Sequence, residues 1–388
     1  MATERPPFVL RARRELVYAA LLVALLYGAA ELAVRIRHAT TQARRSARPY
    51  SVRSLTHDGH RYAGDEGQIA LVDDPHLVYR AAGNQKSAVV TINADGFRGR
   101  EWRHEKAPGT KRVVVLGGST AFGIGASGDE RVFTARLEWR LDAAARGQGG
   151  QGGHVEVWNA GVIGYDSTQE LVLLATRLVD VAPDVVILLD GWNDFHGTAA
   201  LADASMALLH SKFALEQLLL VRQTQPFCEL LRGSALFRAM ESGLARWIRR
   251  HGPESRFGDY HDHSDLARPR YERNLRAIVR LVKGFGATPL LAPQPELFQR
   301  AEPPVAEVAL RTNYERDGYA AYARTIYPRY VATAAAVAAA ESVPFLDCTK
   351  AFDSAPDAVF SDFVHLNDRG QELLAACLAP AVERALRR

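Results

Sequence analysis

The chain has 388 residues, of which 47% are hydrophobic and 24% charged, a composition typical of a globular protein and unlike that of a disordered one. A core of this size needs no disulfide or metal to support it. The net charge of +4 is concentrated near the amino terminus, and the chain has no basic ladder with interleaved aromatic residues. We therefore expect a membrane surface as a partner, and no nucleic acid.

An apolar stretch near the amino terminus predicts a membrane anchor. Residues 16–30 contain no charged side chain, and residues 32–34 extend the stretch beyond Glu31. A span needs about 20 apolar residues, so a transmembrane helix over 16–34 is slightly short, with Glu31 expected at headgroup level. Arginines follow without a cleavage-type sequence, which favours an uncleaved anchor. The alternative is an amphipathic or buried helix.

Basic segments flank the predicted anchor on both sides. Residues 1–15 form a basic tail, and residues 35–60 are predicted to be an arginine-rich linker near lipid headgroups. Positive charges favour the cytoplasmic side of a membrane span, and here they are almost equally frequent on the two sides of the anchor. The slight excess after the anchor favours a cytoplasmic catalytic domain. Residues 61–110 predict a small β-rich lead-in, with a strand over 89–92 and a turn over 93–96.

From residue 111 onward, predicted strands and helices alternate. This order predicts a parallel sheet with helices on both faces. The predicted strands are 112–117, 155–159, 184–190, 287–292 and 343–347, and the predicted helices are 130–146, 167–180, 267–285, 314–341 and 368–386. A helical insertion, residues 200–250, separates the third and fourth strands. It contains a basic amphipathic helix that either rests on a membrane or covers the core or the active site.

The three cysteines give little information about the compartment. Cys228, Cys348 and Cys377 match no zinc motif by spacing, and their odd number permits no complete disulfide framework. We interpret them as small buried hydrophobic residues.

A serine follows the first predicted strand of the sheet. Ser119 comes directly after the glycines Gly117 and Gly118, which allow a sharp turn and leave room for a substrate. Because open α/β sheets bind ligands at the carboxyl ends of their strands, Ser119 is a candidate nucleophile. Taken alone, the same residues are equally compatible with a turn that caps the following helix.

Three further segments are predicted at the same edge of the sheet. His365 is a candidate general base, since histidine is the commonest residue in that role, and Asp362 is placed three residues earlier to orient it. The oxyanion donors are predicted to be the backbone N–H groups of Ser119 and Gly161 and the side-chain amide of Asn193.

Together these segments resemble the SGNH, or GDSL-type, hydrolase superfamily. The motifs occur in order: Gly-Gly-Ser-Thr at Ser119, Asn-Ala-Gly at Gly161, Gly-Trp-Asn-Asp at Asn193, and Asp-Phe-Val-His at Asp362 and His365. The resemblance covers roughly residues 110–386, and residues 92–99 resemble the lead-in of membrane-anchored bacterial members. In one departure, Gly118 occupies the position of the aspartate in the GDSL motif that names the superfamily (the name motif). This difference leaves the subfamily and the substrate open.

The resemblance implies an α/β fold and a serine esterase or lipase-like activity. The implied fold is a three-layer α/β/α flavodoxin-like sandwich with a five-stranded parallel sheet in the order 2-1-3-4-5. We expect cleavage or transfer of acyl or acetyl esters on a lipid or glycan. The alternative is a catalytically inactive member that binds glycan or lipid in a membrane assembly.

We predict no cofactor and no metal. The G-x-G-x-x-G match at residues 123–128 begins six residues after the strand ends, too late for a dinucleotide site. His261 and His263 have poor geometry for a catalytic metal. We expect a single-pass inner-membrane protein with a periplasmic catalytic domain, because a tethered hydrolase is more useful outside the cytoplasm.

Overall fold

The computed structural model describes residues 8–45, 69, 71–147, 154–199, 234–236, 240, 264–315 and 319–387. The chain divides into two compact units. One comprises Met1–Ser51 and Leu218–Ser255, and the other comprises Val52–Gln217 and Arg256–Arg388.

The first unit contains one long helix, α1 (Phe8–Arg45). Its segment Val17–Arg37 has a mean hydropathy of 2.0 and no buried side chains, and it is long and apolar enough to cross a membrane. The helix continues to Arg45, so the first part of the predicted linker is helical. Arginine and alanine, which are frequent in residues 35–45, have high helix propensity.

Glu31 is hydrogen-bonded within this first unit. Its carboxylate accepts hydrogen bonds from the Ser234 hydroxyl and from the backbone N–H groups of Ala235 and Leu236, each at 2.7 Å. Apart from residues 234–236 and 240, the predicted insertion 200–250 lies outside the described residues.

The second unit begins with four short strands in two antiparallel pairs. Strand β1 (Leu71–Asp74) pairs with β2 (Val78–Ala81), and β3 (Gln85–Lys86) pairs with β4 (Thr91–Ile92). The following turn is closed by the Gly96 N–H, which donates to the Asn93 carbonyl.

A four-stranded parallel sheet forms the centre of the second unit. Its strands are β5 (Lys111–Gly117), β6 (Val155–Asn159), β7 (Val185–Asp190) and β8 (Thr288–Pro293), in the order β6-β5-β7-β8. This is the predicted order 2-1-3-4. All four strands are rich in β-branched or aliphatic residues and are almost wholly buried, as expected for strands covered on both faces.

Helices cover both faces of the sheet. On one face, Val113, Val115 and Ile187 pack with α3 (Phe133–Gly147) and α9 (Asp368–Leu386). The opposite face packs with α4 (Ser167–Arg177), α6 (Ser264–Gly284) and α8 (Tyr319–Ala340). The remaining helices are α2 (Ser119–Phe122), α5 (Trp192–Ala199) and α7 (Val305–Glu315). The predicted three-layer α/β/α arrangement is confirmed.

The predicted fifth strand, residues 343–347, forms only an isolated parallel bridge between Phe345 and Leu291 of β8. The Leu291 N–H donates to the Pro344 carbonyl, and the Leu346 N–H donates to the Leu291 carbonyl. Proline has no N–H to donate, which limits the length of the ladder at this edge. The segment therefore lies beside β8 as predicted, and the sheet formed by the described residues has four regular strands.

Two of the three cysteines are joined, contrary to the sequence interpretation. A disulfide links Cys348 to Cys377 of α9, with Cα atoms 6.0 Å apart. Spacing along the chain could not reveal this pair, because the fold brings together residues 29 positions apart. Cys348 is also fully buried, as expected. Cys228 lies outside the described residues.

Candidate active site

Ser119 lies at the junction of the central strand and the first short helix. Strand β5 ends at Gly117, whose φ of +152° is easily reached by glycine, and α2 begins at Ser119. The Ser119 side chain is half-buried, and its backbone N–H lies at the start of a helix, where N–H groups have no partner within the helix. Within the described residues no acceptor is found for this N–H, so the serine brings its hydroxyl and a backbone donor to the same edge of the sheet.

His365 contacts Ser119 on one side and Asp362 on the other. Its Nε2 atom is 2.7 Å from the Ser119 Oγ, and its Nδ1 atom is 2.7 Å from the Asp362 Oδ2. The other carboxylate oxygen, Oδ1, accepts the backbone N–H groups of Val364 and His365 at 2.8 and 2.7 Å. The structure thus brings the three predicted residues into one hydrogen-bonded chain.

Asp362 is kept ionised although it is buried. Burial acts to raise the pKa of its carboxyl group. The neighbouring His365 charge, the hydrogen bond to His365 and the two backbone N–H bonds outweigh burial and hold the pKa below its ordinary value. A charged acceptor therefore faces the imidazole at neutral pH.

The loop that carries His365 is attached to the rest of the site. The Thr120 hydroxyl, next to Ser119, donates to the Val364 carbonyl at 3.2 Å, and the Leu297 N–H donates to the Phe363 carbonyl at 2.9 Å. The Phe363 ring packs against aromatic side chains from three other segments, namely Trp192, Phe298 and Tyr319. These contacts fix the distance between the histidine and the serine.

Asn193 reaches the site from the third strand. It lies in the first turn of α5, directly after β7 and Gly191, and is half-buried. Its Nδ2 atom donates to the Tyr165 carbonyl at 2.6 Å, which leaves the second amide hydrogen available. The Tyr165 carbonyl in turn lies close to Gly118, the residue before Ser119.

Gly161 does not fulfil the predicted role. Its backbone N–H donates to the Asn159 Oδ1 at 2.9 Å, and its α-carbon is covered by the backbone of Ala121 and Phe122. A donor already used in the core cannot serve an oxyanion. The signal was present in the sequence, since an asparagine commonly accepts the N–H two residues further on.

Gly164 is a glycine near Asn193 that the sequence analysis did not consider. It is half-buried, has a φ of +81°, and directly precedes the Tyr165 carbonyl that holds Asn193. Within the described part of the chain, no acceptor is found for its N–H. Gly164 therefore lies one residue before the carbonyl that holds the Asn193 amide, three residues after the predicted position.

A group of buried carboxyls lies behind Asn193. Asp194 accepts the Ser167 N–H and hydroxyl at 2.9 and 2.7 Å, and burial followed by the charge of Asp166 raises the pKa of Asp194 to about 7. Burial also raises the pKa values of Glu170 and Asp190 well above their ordinary values. Among the described residues, neither Glu170 carboxyl oxygen has a hydrogen-bond partner, so the surroundings of Glu170 disfavour its charged form.

One more buried acid follows β8. Glu296 accepts the Phe298 N–H through Oε2 at 2.5 Å, and burial raises its carboxyl pKa to about 8. No group of three or more histidine, cysteine or acidic residues suited to a metal occurs in the described ranges. Most of the weak metal candidate at residues 259–265 lies outside them.

Residues 115–373, more than half of the chain, match the model of the GDSL-like lipase/acylhydrolase family. The chain belongs to this family. It is an ester-bond hydrolase of the SGNH superfamily, with the α/β fold described above. The family match begins within β5 and ends in the first turns of α9, so it includes every residue of the candidate site.

Solved structures similar to this acylhydrolase include several esterases. An acetyl xylan esterase, AlAXEase, is 15% identical with a TM-score of 0.39 over 70% of this chain and 99% of its own. TesA is 16% identical with a TM-score of 0.40 over 71% and 99%. A catalytic mutant of Axe2, an acetylxylan esterase from Geobacillus stearothermophilus, is 15% identical with a TM-score of 0.38 over 71% and 94%. No curated protein matches the sequence.

Proposed function

We propose that this acylhydrolase is a membrane-tethered serine esterase in which Ser119 is the nucleophile, His365 the general base and Asp362 the residue that orients the base. The observation that carries the proposal is the pair of 2.7 Å contacts made by the two His365 nitrogens, one to each partner. A nucleophile hydrogen-bonded to a base, itself oriented by a third group, is the arrangement that acyl transfer requires.

In the proposed reaction, the Ser119 Oγ attacks the ester carbonyl carbon while its proton moves to the His365 Nε2. The proton then passes from Nε2 to the departing alcohol, which leaves an acyl group on Ser119. Water attacks this acyl-enzyme, with His365 again accepting and returning a proton, and the carboxylic acid is released. Asp362 stays ionised throughout and stabilises the imidazolium.

Three donors are proposed for the oxyanion of each tetrahedral intermediate. They are the Ser119 N–H, the Gly164 N–H in place of the predicted Gly161 N–H, and the Asn193 Nδ2. Support comes from their positions: Ser119 opens α2, and Asn193 donates to the carbonyl of Tyr165, the residue that follows Gly164. Donors fixed before the reaction stabilise developing charge without reorganisation.

The proposed location is a membrane surface on the oxidising side. Val17–Arg37 supplies the anchor by length and composition. The Cys348–Cys377 disulfide supports an extracytoplasmic catalytic domain, since such bonds persist in oxidising compartments. If this is correct, protease added to spheroplasts degrades a carboxyl-terminal tag while a cytoplasmic marker survives. Protection of the tag would place the domain inside.

The proposed substrates are acyl or acetyl esters on lipids or glycans near that membrane. To test the activity, full-length protein in detergent is assayed on p-nitrophenyl esters from acetate to palmitate. Ser119→Ala is expected to abolish turnover, while Ser127→Ala, an exposed serine eight residues further on, retains it. Turnover that survives Ser119→Ala removes Ser119 from the mechanism. A folded wild-type protein without turnover on any ester supports the inactive, ligand-binding alternative.

A further inference from the structure

The glycine before the nucleophile has an unusual backbone conformation and a close neighbour. Gly118 has a φ of −84° and a ψ of −145°, a combination outside the ordinary α and β regions, and the preceding Gly117 has a φ of +152°. The surroundings of Gly118 give a second reason for glycine at this position.

The space beside the Gly118 α-carbon is filled by Asn193. A Cβ atom built on Gly118 would lie only 2.2 Å from the Asn193 Nδ2 and 3.4 Å from its Cγ. The same Cβ would lie 3.2 Å from the Tyr165 carbonyl oxygen, the acceptor of that amide. The Asn193 amide thus packs against the α-carbon of Gly118. It occupies the space that any side chain at residue 118 would need.

We propose that Gly118 is a positioning residue that acts through Asn193. Without a side chain at residue 118, the amide can bond the Tyr165 carbonyl and keep its second hydrogen for the oxyanion of an ester attached to Ser119. This inference rests on the proposed function, because it assigns Asn193 to the oxyanion site.

The physical consequence is a loss of function with little loss of fold. The atom that a new Cβ meets is the end of a half-buried side chain, which can rotate away, so the chain needs only a small adjustment elsewhere. Rotation breaks the bond to Tyr165 and removes the donor from the site. Changing Gly118 to the aspartate of the name motif is therefore expected to damage this enzyme.

The test is a double-mutant cycle between residues 118 and 193 in the full-length protein. Gly118→Ala, Asn193→Ala and the double variant are compared for the rate constant of labelling by a fluorophosphonate probe and for kcat and KM on p-nitrophenyl acetate. Gly118→Asp is measured in parallel. Gly284→Ala is the matched control, because a Cβ at that residue meets nothing within 4 Å. Thermal unfolding of each variant is followed by circular dichroism.

The proposal predicts that Gly118→Ala lowers kcat and the labelling rate by about 10²-fold, the usual cost of one oxyanion donor, without raising KM. Asn193→Ala has a similar effect, the double variant is no slower than Asn193→Ala, and the unfolding temperature stays near that of Gly284→Ala. Losses that multiply in the double variant, or a Gly118→Ala enzyme of normal rate, overturn the role of Gly118 and leave the proposed function standing. Labelling of Ser119→Ala at the wild-type rate overturns the proposed function itself.

Discussion

Buried carboxyl groups on the two sides of the active site are kept in opposite states. Asp362, beside His365, is 3% exposed and has a lowered pKa, because a histidine and two backbone N–H groups contact it. Glu170, behind Asn193, is fully buried, and burial followed by the charges of neighbouring acids raises its pKa; within the described residues neither of its oxygens has a partner. Burial alone therefore does not decide which acid is charged, since at Asp362 the His365 contact and the backbone hydrogen bonds outweigh it.

In the proposed mechanism, this difference separates two functions at one edge of the sheet. The Asp362 side holds a proton-accepting imidazole in place during the reaction. The Asn193 side positions an amide close to developing negative charge, where fixed carboxylates would oppose the oxyanion. The raised pKa values of Glu170 and Asp190 favour their neutral forms, while Asp194, with a pKa of about 7, accepts two hydrogen bonds from Ser167.

The largest expected effect comes from removing the charge that faces the histidine. Asp362→Asn keeps the shape of the side chain but loses the ionised acceptor, so kcat on p-nitrophenyl acetate should fall by about 10⁴-fold. Glu170→Gln is the matched change at a buried carboxyl whose pKa is raised well above its ordinary value, and it should leave kcat almost unaltered. Equal losses in the two variants would contradict the contrast between the two sides.

A smaller effect is expected on the amide side. Asn193→Ala should reduce kcat by on the order of 10²-fold while the protein stays folded, since one donor among three is lost. The check is steady-state kinetics with circular dichroism of the same sample. Near-normal turnover would exclude Asn193 from the oxyanion site.

The smallest effect concerns stability and pH at Glu296. Its pKa is raised from the ordinary 4.5 to about 8 by burial. A raised pKa means that the folded state binds the proton more tightly, so this contribution to stability is complete below pH 4.5 and is lost as pH rises through 8. A tenfold difference in proton affinity between the folded and unfolded states corresponds to about 1.4 kcal/mol of stability. Glu296→Gln should therefore gain unfolding temperature over wild type between pH 5 and pH 9.

The exposed Glu302 supplies the control for that measurement. Glu302→Gln should follow the wild-type curve at every pH, because a carboxyl that stays in contact with water loses little hydration on folding. If Glu296→Gln also follows the wild-type curve, ionising Glu296 does not lower the free energy of unfolding. The effect of burial seen at Glu170 would then not extend to Glu296.

Features that depend on local sequence were accessible to prediction. The buried strands β5 to β8, their order and the segments at their carboxyl ends followed from apolar runs and from the resemblance of four short motifs. The structure then brings Ser119, Asp362 and His365 together, as expected from placing those segments at one edge. Their catalytic roles stay a prediction until the variants are measured.

Features that depend on three-dimensional neighbours were missed. The use of the Gly161 N–H depends on where the Asn159 side chain turns, and the Cys348–Cys377 bond depends on how α9 docks. The neutral acids behind Asn193 could not be identified from the sequence, because their state depends on helices that are distant in the chain. Such features need coordinates.

The account depends above all on Ser119 being the residue that becomes acylated. The most direct measurement is labelling of the full-length protein with a fluorophosphonate probe, followed by mass spectrometry of its peptides. We predict a single adduct on the peptide that contains Ser119, absent from Ser119→Ala and strongly reduced in Asp362→Asn. An adduct on another residue, or one that persists at the wild-type rate in Ser119→Ala, would contradict the proposed mechanism.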